Sequence, residues 1–278
     1  MSRIYDALRK LERERSGGGG ANGDGGHGNG GGNGNGGGNG KRRGWWRLFP
    51  RNGRTPAAAP RLSFQIGPEV EEAFQRLGTN LLVAPGTEQA VLPKLLGVTA
   101  SLHGEGVTTT AAVFASILVR RRGGRVAVVE ANFRSPSFGT VFNVVPNGGF
   151  ADLVEGRQPV TKVAQQTEVP NLFVIGCGQS ALGPSAVFDS PGLPVALEQL
   201  RGHFDFVVFD LPPVTVYSDA SIIGPRLDAA LIVIEADRTR VPEVERTRRN
   251  LERCGVRLAG AVLNRRRSYI PAFLEELL

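Results

Sequence analysis

Between residues 69 and 263 the chain alternates short, continuously apolar runs with stretches of helical periodicity. The apolar runs, which are rich in β-branched residues, lie at 95–101, 125–131, 171–176, 206–210, 229–235 and 256–263. The helical stretches lie at 69–84, 107–122, 184–202, 218–226 and 241–254. Strands that are apolar throughout and separated by helices are typical of a parallel sheet covered by helices on both faces. The sequence therefore predicts a three-layer α/β fold, in which ligands bind at the carboxyl ends of the strands.

One strand-to-helix connection has the form of a phosphate-binding loop without its lysine. The apolar run Leu95–Thr99 leads towards Gly104-Glu105-Gly106, and Thr108 and Thr109 follow at the start of an apolar helix. A glycine turn before a helix N-terminus directs backbone N–H groups and the helix dipole at an anion. Val107 stands where such loops carry the lysine that reaches the β- and γ-phosphates. We expect a nucleotide cradle that lacks its main charge; the alternative interpretation is a turn that binds no anion.

The net charge of +7 is concentrated in the N-terminal part of the chain. Residues 1–61 contain 12 Lys or Arg and 4 acidic residues, whereas residues 62–278 contain 21 and 22. The expected domain is thus close to neutral as a whole. This argues against nucleic acid as a partner, and it assigns any attraction to anionic lipid or to an acidic partner to the N-terminal arm.

The arm itself divides into two parts ahead of a domain predicted at 61–278. Residues 1–16 have apolar side chains at helical spacing among dense charges, which predicts a short amphipathic helix that docks on a partner. Residues 17–60 form a Gly/Asn-rich flexible linker. Within this linker, residues 41–54 interleave aromatic and basic side chains, which suits an anionic membrane interface or an acidic groove. The alternatives are stacking on nucleobases and a patch that covers the domain.

The sequence also indicates a cytoplasmic protein. No apolar run approaches the ~18 residues that span a bilayer, and residues 1–15 are too charged for a signal peptide. Cys177 and Cys254 match no metal-ligand spacing, so we expect reduced thiols.

Two further strands end in polar motifs. One ends Val129-Glu130-Ala131-Asn132-Phe133-Arg134, and another ends Phe209-Asp210-Leu211-Pro212-Pro213. Together with the glycine loop, and in this order within residues 69–265, these motifs resemble the bacterial tyrosine kinases of capsule and exopolysaccharide systems. That family, of the CpsD/CapB type, lies within the MinD/ParA-like branch of P-loop proteins. The resemblance implies a P-loop NTPase-like fold, binding of ATP or ADP with Mg²⁺, and protein-tyrosine kinase activity.

The resemblance also implies roles for individual residues. Those implied for nucleotide binding are Gly104, Glu105, Gly106, Val107, Thr108, Thr109, Arg134 and Asn264, the last at the adenine base. Thr108 and Asp210 are implied as Mg²⁺ ligands, and Asp210 and Glu130 as catalytic residues. From the residues alone, the alternatives are a strand cap for Asp210 and a surface pair for Glu130 with Arg134. Asp219 also matches the family, and an N-cap role explains it equally well.

Four features depart from the family's pattern. Val107 replaces the loop lysine, and Asn132 replaces an aspartate that serves metal and substrate hydroxyl. In the oligomerisation helix, whose pattern is ExxRxxR, Gln75 and Gly78 follow Glu72 in the arginine places. The autophosphorylated tyrosine cluster is absent, because the whole chain has 3 tyrosines.

These losses favour a pseudokinase with no or weak activity. We expect an adaptor in exopolysaccharide or capsule assembly or export, held at the inner face of the membrane by a membrane-embedded polysaccharide chain-length regulator or co-polymerase. One alternative is an active, divergent tyrosine kinase that acts on Tyr5 or Tyr269, with a cation such as Arg134 turned inward or supplied by a partner. The other is a positioning ATPase of the MinD/ParA type.

Overall fold

The computed structural model of the chain describes residues 61–82, 93–144, 147–180 and 183–266. The predictions made for the arm of residues 1–60, for Tyr5 and for Tyr269 lie outside the described residues. So does the tail from residue 267 onwards.

The secondary structure follows the alternation seen in the sequence. The strands are β1 Leu95–Ala100, β2 Val126–Glu130, β3 Gln165–Gln166, β4 Leu172–Ile175, β5 Phe206–Asp210, β6 Ala229–Glu235 and β7 Leu258–Asn264. The α-helices are α1 Pro68–Leu82, α2 Val107–Arg122, α3 Phe138–Val141, α4 Phe150–Val154, α5 Val160–Val163, α6 Pro184–Asp189, α7 Leu193–His203, α8 Asp219–Ile223 and α9 Val241–Arg253. A 3₁₀ turn, Gly224–Arg226, follows α8.

The strands form one sheet in the order β3-β4-β2-β5-β1-β6-β7. Every neighbouring pair is parallel except β3 with β4. The register places Val98 beside Asp210 and Asp210 beside Glu130, so the ends of β1, β5 and β2 meet at one edge. This edge carries the motifs found in the sequence.

Helices cover both faces of the sheet because both faces are apolar. Strands β1 and β2 are buried along their whole length. One core cluster joins one face of the sheet to residues of α4 to α9, and the other joins the opposite face to residues of α1, α2 and α3. Helix α2 lies deepest and ends where Gly123 adopts a positive φ of 68°. The predicted α/β fold of the P-loop type is therefore confirmed.

Two differences from the sequence prediction have local causes. The helix expected at 184–202 is divided into α6 and α7, because Pro191 and Gly192 follow directly after Asp189 and Ser190. Between residues 138 and 166, the described residues form three short helices and the antiparallel edge strand β3, for which the sequence has no clear periodicity. Cys177 is buried and Cys254 is exposed, both as free thiols. Within the described residues, no helix is both long and apolar enough to cross a membrane.

Candidate nucleotide-binding site

The predicted cradle lies between β1 and α2, at the carboxyl edge of the sheet. Gly104 and Gly106 have φ of 82° and 93°, a region that glycine occupies without strain. A Cβ on Gly106 would also overlap the side-chain nitrogen of Asn264. Both glycines are therefore required by the shape of the loop.

Glu105 is fully buried and fastens the loop to its neighbour β6. Its carboxylate accepts hydrogen bonds from the N–H of Leu102, at 2.6 Å, and from the N–H of Glu235, at 3.3 Å. The hydroxyl of Thr239, just after β6, donates to the same carboxylate. Because the carboxylate is engaged in these contacts, Glu105 can contact a nucleotide only through its backbone.

Two side chains hold the loop from outside. The amide of Asn264, at the end of β7, donates to the carbonyl of Glu105 at 2.8 Å. Arg238 donates to the carbonyl of His103 at 3.0 Å and pairs with Glu235 at 2.6 Å. The cradle is thus held in shape by protein groups alone. Asn264 is predicted to contact adenine, and its amide group is engaged in this contact with the loop.

At the start of α2, Val107 is half-buried and packs against the core cluster that includes α2. The next residue, Thr108, donates its hydroxyl to Asp210 Oδ2 at 2.8 Å. Ser137 donates to the hydroxyl oxygen of Thr108 at 3.2 Å. Thr109 is half-buried in the same turn. Three oxygen-bearing side chains, of Thr108, Ser137 and Asp210, therefore converge beside the loop.

Asp210 is fully buried, and its Oδ1 atom has no hydrogen-bond partner among the described residues. Burial raises the pKa of this carboxyl to about 8; the hydrogen bond from Thr108 lowers it and the nearby charge of Glu130 raises it. A buried carboxyl oxygen without a protein partner is an atom that a water or a cation can satisfy. Carboxylate and hydroxyl oxygens suit Mg²⁺, which keeps several waters and needs few protein ligands. The residues therefore fit the implied ion.

Glu130 is also buried, at 4% exposed, and supports the backbone around it. One of its oxygens accepts the N–H groups of Ser137 and Phe138, and the other accepts the N–H of Cys177 at 3.2 Å. Burial raises the pKa of the Glu130 carboxyl against the effect of these donors. Asn132 accepts the N–H of Ser135 at 3.2 Å, which closes a turn. The alternative of a surface pair between Glu130 and Arg134 is wrong, because Glu130 lies inside the fold.

Arg134 has a different partner. Its guanidinium pairs with the buried carboxylate of Asp219 at 3.1 Å and donates to Ser185 at 2.7 Å. It also lies 4.7 Å from the ring centroid of Tyr217, which packs edge-on against His103 of the loop. The hydrogen bond to Asp219 raises the pKa of Arg134. Ser218 stands at the N-cap of α8, so the N-cap interpretation of Asp219 is also wrong.

The structure thus brings Thr108, Glu130 and Asp210 together and places Arg134 in a separate network. Sequence reasoning missed Ser137, Tyr217 and Arg238. Arg238 could have been found by inspecting the polar residues just after β6, because that strand also ends at the ligand-binding edge. Neither Ser137 nor Tyr217 belongs to a local pattern that predicts its position.

Comparison with known proteins relates this fold and site to one group. No protein-family model matches the chain. The tyrosine-protein kinase ptk of Acinetobacter johnsonii is 34% identical over 140 residues, 50% of this chain but only 19% of that relative. The tyrosine-protein kinase CpsD of Streptococcus agalactiae is 26% identical over 198 residues, covering 71% of this chain and 84% of CpsD.

The structural comparison agrees with the sequence comparison. The kinase domain of the Escherichia coli tyrosine kinase ETK is 25% identical, with a TM-score of 0.64 over 73% of this chain and 79% of that chain. With the sheet order and the three strand-end motifs, these similarities lead to one conclusion. In sequence and in fold, the chain is similar to the bacterial tyrosine kinases of the CpsD/CapB type.

Proposed function

We propose that this chain is a non-catalytic member of its family, acting as an adaptor in the assembly or export of a capsular polysaccharide or exopolysaccharide. The observation that carries the proposal is Val107 at the first position of α2, in a loop whose remaining framework is intact. Such a loop keeps the backbone donors for an anion and lacks the ammonium group.

The interaction energy lost with the lysine is large enough to affect both nucleotide binding and phosphoryl transfer. An ammonium about 4 Å from a phosphate oxygen contributes roughly 4 kcal/mol at an effective dielectric constant of 20. The cost of desolvating a lysine offsets part of this. A net loss of about 2–4 kcal/mol weakens nucleotide binding about 30- to 1,000-fold. Phosphoryl transfer depends mainly on electrostatic stabilisation, so its rate falls at least as far.

The arginines beside the cradle are poor replacements for the lysine, because each is held by a carboxylate. Arg134 is paired with Asp219, while Arg238 and Arg265 are both paired with Glu235. Turning Arg134 inward would leave Asp219, which is fully buried, without its cation. Losing one partner of such a pair is strongly unfavourable.

The acidic side of the site supports the same proposal. Asn132 carries no charge with which to accept a proton from a substrate hydroxyl or to neutralise Mg²⁺. Glu130 keeps a carboxyl group, but both of its oxygens accept backbone N–H groups. We infer that Glu130 maintains the site and that Asp210 and Thr108 retain a weak capacity for Mg²⁺ and ATP or ADP.

We further infer that the adaptor works at the inner face of the membrane with a membrane-embedded regulator of polysaccharide chain length. The family's capsule and exopolysaccharide systems supply this expectation. In such a role the folded surface, rather than phosphoryl transfer, is what the partner uses.

A phosphotransfer assay tests the proposal directly. Purified full-length protein, incubated with Mg²⁺ and ATP labelled at the γ-phosphate, is expected to remain unlabelled while the kinase domain of ETK is labelled in parallel. Label on the wild-type protein that disappears in the Asp210→Ala variant would overturn the proposal.

Such a result would establish the second candidate, a divergent active kinase. The observation that favours this candidate is the retained contact between Thr108 and Asp210. Mapping the label to a tyrosine would then identify the acceptor, and Tyr217 is the one tyrosine within the described residues.

A further inference from the structure

Six exposed arginines lie at the edge of the sheet opposite the cradle. We call this surface the amino edge. It is formed by Arg120 and Arg122 at the end of α2, Arg125 before β2, Arg226 before β6, Arg253 at the end of α9 and Arg257 before β7.

The parallel topology explains why residues so distant in sequence share one edge. Val126 pairs with Phe206, Leu96 with Ala229 and Ala230 with Leu258, so these strands begin side by side. Each connecting helix runs back across the sheet and therefore ends at the same edge. With neighbouring strands about 4.8 Å apart, the distance from β2 to β7 is about 19 Å.

The charges at this edge are not fully neutralised by the described residues. None of the six arginines forms an ion pair there; Arg125 lies 5.1 Å from the ring centroid of Phe173, and Arg226 donates to the carbonyl of Ile222. Of the two carboxylates at the strand starts, Asp205 has no ion pair within the described residues and subtracts one charge from the edge. Asp205 accepts the backbone N–H of Arg125, and Asp228 accepts that of Leu95.

The further acidic groups near the edge reduce its charge but leave the arginines in excess. Asp228 also pairs with Arg201, Glu71 with Arg121 and Glu252 with Arg248. Glu168 is exposed beside a cleft that Arg61 and Arg120 also line. The dipole of a helix C-terminus accounts for arginines in last turns. It does not account for Arg125 and Arg257, which precede strands.

We propose that the amino edge is a docking surface for anionic lipid headgroups. Guanidinium groups bind phosphate in a bidentate manner, and several of them on a surface about 19 Å wide suit a membrane leaflet. The proposal does not depend on kinase activity.

The point where the arm joins the domain supports lipid as the partner. The described fold begins at Arg61, which lines the same cleft as Arg120. The sequence up to and including Arg61 is itself basic, with 12 basic and 4 acidic side chains in residues 1–61. An extended anionic surface can attract both the basic arm and the arginines of the amino edge.

Single-stranded nucleic acid fits the edge less well. Stacking on exposed aromatic side chains is the usual basis of such binding. The exposed large apolar side chains of the described residues are Val195, Val216, Val241 and Leu263, none of which is aromatic.

Co-sedimentation of the full chain with vesicles tests the proposal. The edge variant carries Arg122→Gln, Arg253→Gln and Arg257→Gln. The matched control carries Lys162→Gln, Arg240→Gln and Arg246→Gln, which remove the same charge from exposed positions away from the amino edge. Binding is compared on phosphatidylcholine vesicles with and without phosphatidylserine in 0.1 M salt, where the Debye length is about 10 Å.

We expect wild-type protein to bind the phosphatidylserine vesicles and the edge variant, which lacks three arginines, to bind them about 100-fold more weakly, since each arginine near the leaflet contributes about fivefold. The control should change less than threefold. Equal losses in the two variants, no loss in either, or equal binding to both kinds of vesicle would overturn the proposal. So would an edge-dependent affinity for homopolymeric RNA without one for vesicles.

Circular dichroism checks that each variant is folded. If the edge variant fails to fold, the single substitution Arg257→Gln, at an exposed position before β7, is expected to weaken vesicle binding about fivefold. An unchanged affinity of that variant would count against the proposal in the same way.

Discussion

At the level of single residues, the cradle is a backbone structure that survives without its lysine. Glu105, Asn264 and Arg238 each hold one part of the loop, and none of them requires a bound phosphate to do so. This explains how Val107 is tolerated. A valine at the start of α2 packs against the core, where its apolar side chain is stabilising.

The first prediction concerns this position. Val107→Lys should raise the affinity for ATP with Mg²⁺ about 30- to 1,000-fold, because it restores the ammonium to a cradle of the correct shape. Isothermal titration measures the change. Val107→Gln, which has a long neutral side chain, is the control and should bring no gain. If the lysine variant also brings none, the cradle is closed to nucleotide.

A second prediction follows from the buried Asp210. Its pKa of about 8 in the folded protein lies above the unfolded value of about 3.9, so the folded state holds a proton that the unfolded state releases. Between these values, the free energy of unfolding contributed by Asp210 falls as pH rises, by at most about 1.4 kcal/mol per pH unit.

Asp210→Asn removes this titration. Urea denaturation at pH 5, 6.5 and 8 should therefore show the wild type losing stability relative to the variant as pH rises. Stability curves that run parallel across the three pH values would show that Asp210 is ionised in the folded protein throughout.

At the level of elements, α1 packs against α2 at a contact that includes a glycine of α1. Gly78 is buried, and a Cβ placed on it would meet Phe114 of α2 at 3.8 Å, an ordinary contact. Phe74, one turn earlier, has its ring centroid 6.2 Å from that of Phe114. The glycine is thus neither strained nor sterically required, and it costs α1 helix stability.

We therefore expect Gly78→Ala to raise the free energy of unfolding by about 0.5–1 kcal/mol. Gly106→Ala should have the opposite effect, since its φ is 93° and the new Cβ would overlap Asn264. Chemical denaturation of the two variants beside the wild type provides the comparison. A loss of stability in Gly78→Ala would mean that α2 has no room for the added methyl group.

At the level of the whole molecule, α1 lacks the charges with which the family's oligomerisation helix joins subunits. Glu72 pairs with Arg76 of the same helix at 2.5 Å, and Gly78 faces α2. Gln75 is neutral. We expect a monomer near 29.6 kDa in light scattering coupled to size-exclusion chromatography at micromolar concentration. A stable assembly of several copies would show that another surface replaces the missing arginines.

Much of this architecture can be predicted from the residues. Continuous apolar runs indicate buried parallel strands, because only a sheet covered on both faces excludes water from every side chain of a strand. The polar residues that end those runs then meet at one edge, as Thr108, Glu130 and Asp210 do. Residues 138–166 could not be predicted in this way, since their helices are too short for a periodic signal.

The sequence by itself determined the sheet, the position of the cradle and the absence of its lysine, because these depend on local patterns and on residue identity. Only the tertiary structure decided that Arg134 binds Asp219 and that Glu130 supports backbone N–H groups, because those partners are distant in sequence. The distribution of charge over the surface was likewise decided only by the tertiary structure. Residues 62–278 are nearly neutral in total. The parallel topology nevertheless brings six arginines, from Arg120 to Arg257 in the sequence, together at the amino edge. The total charge of a sequence does not show where in the fold each charge lies.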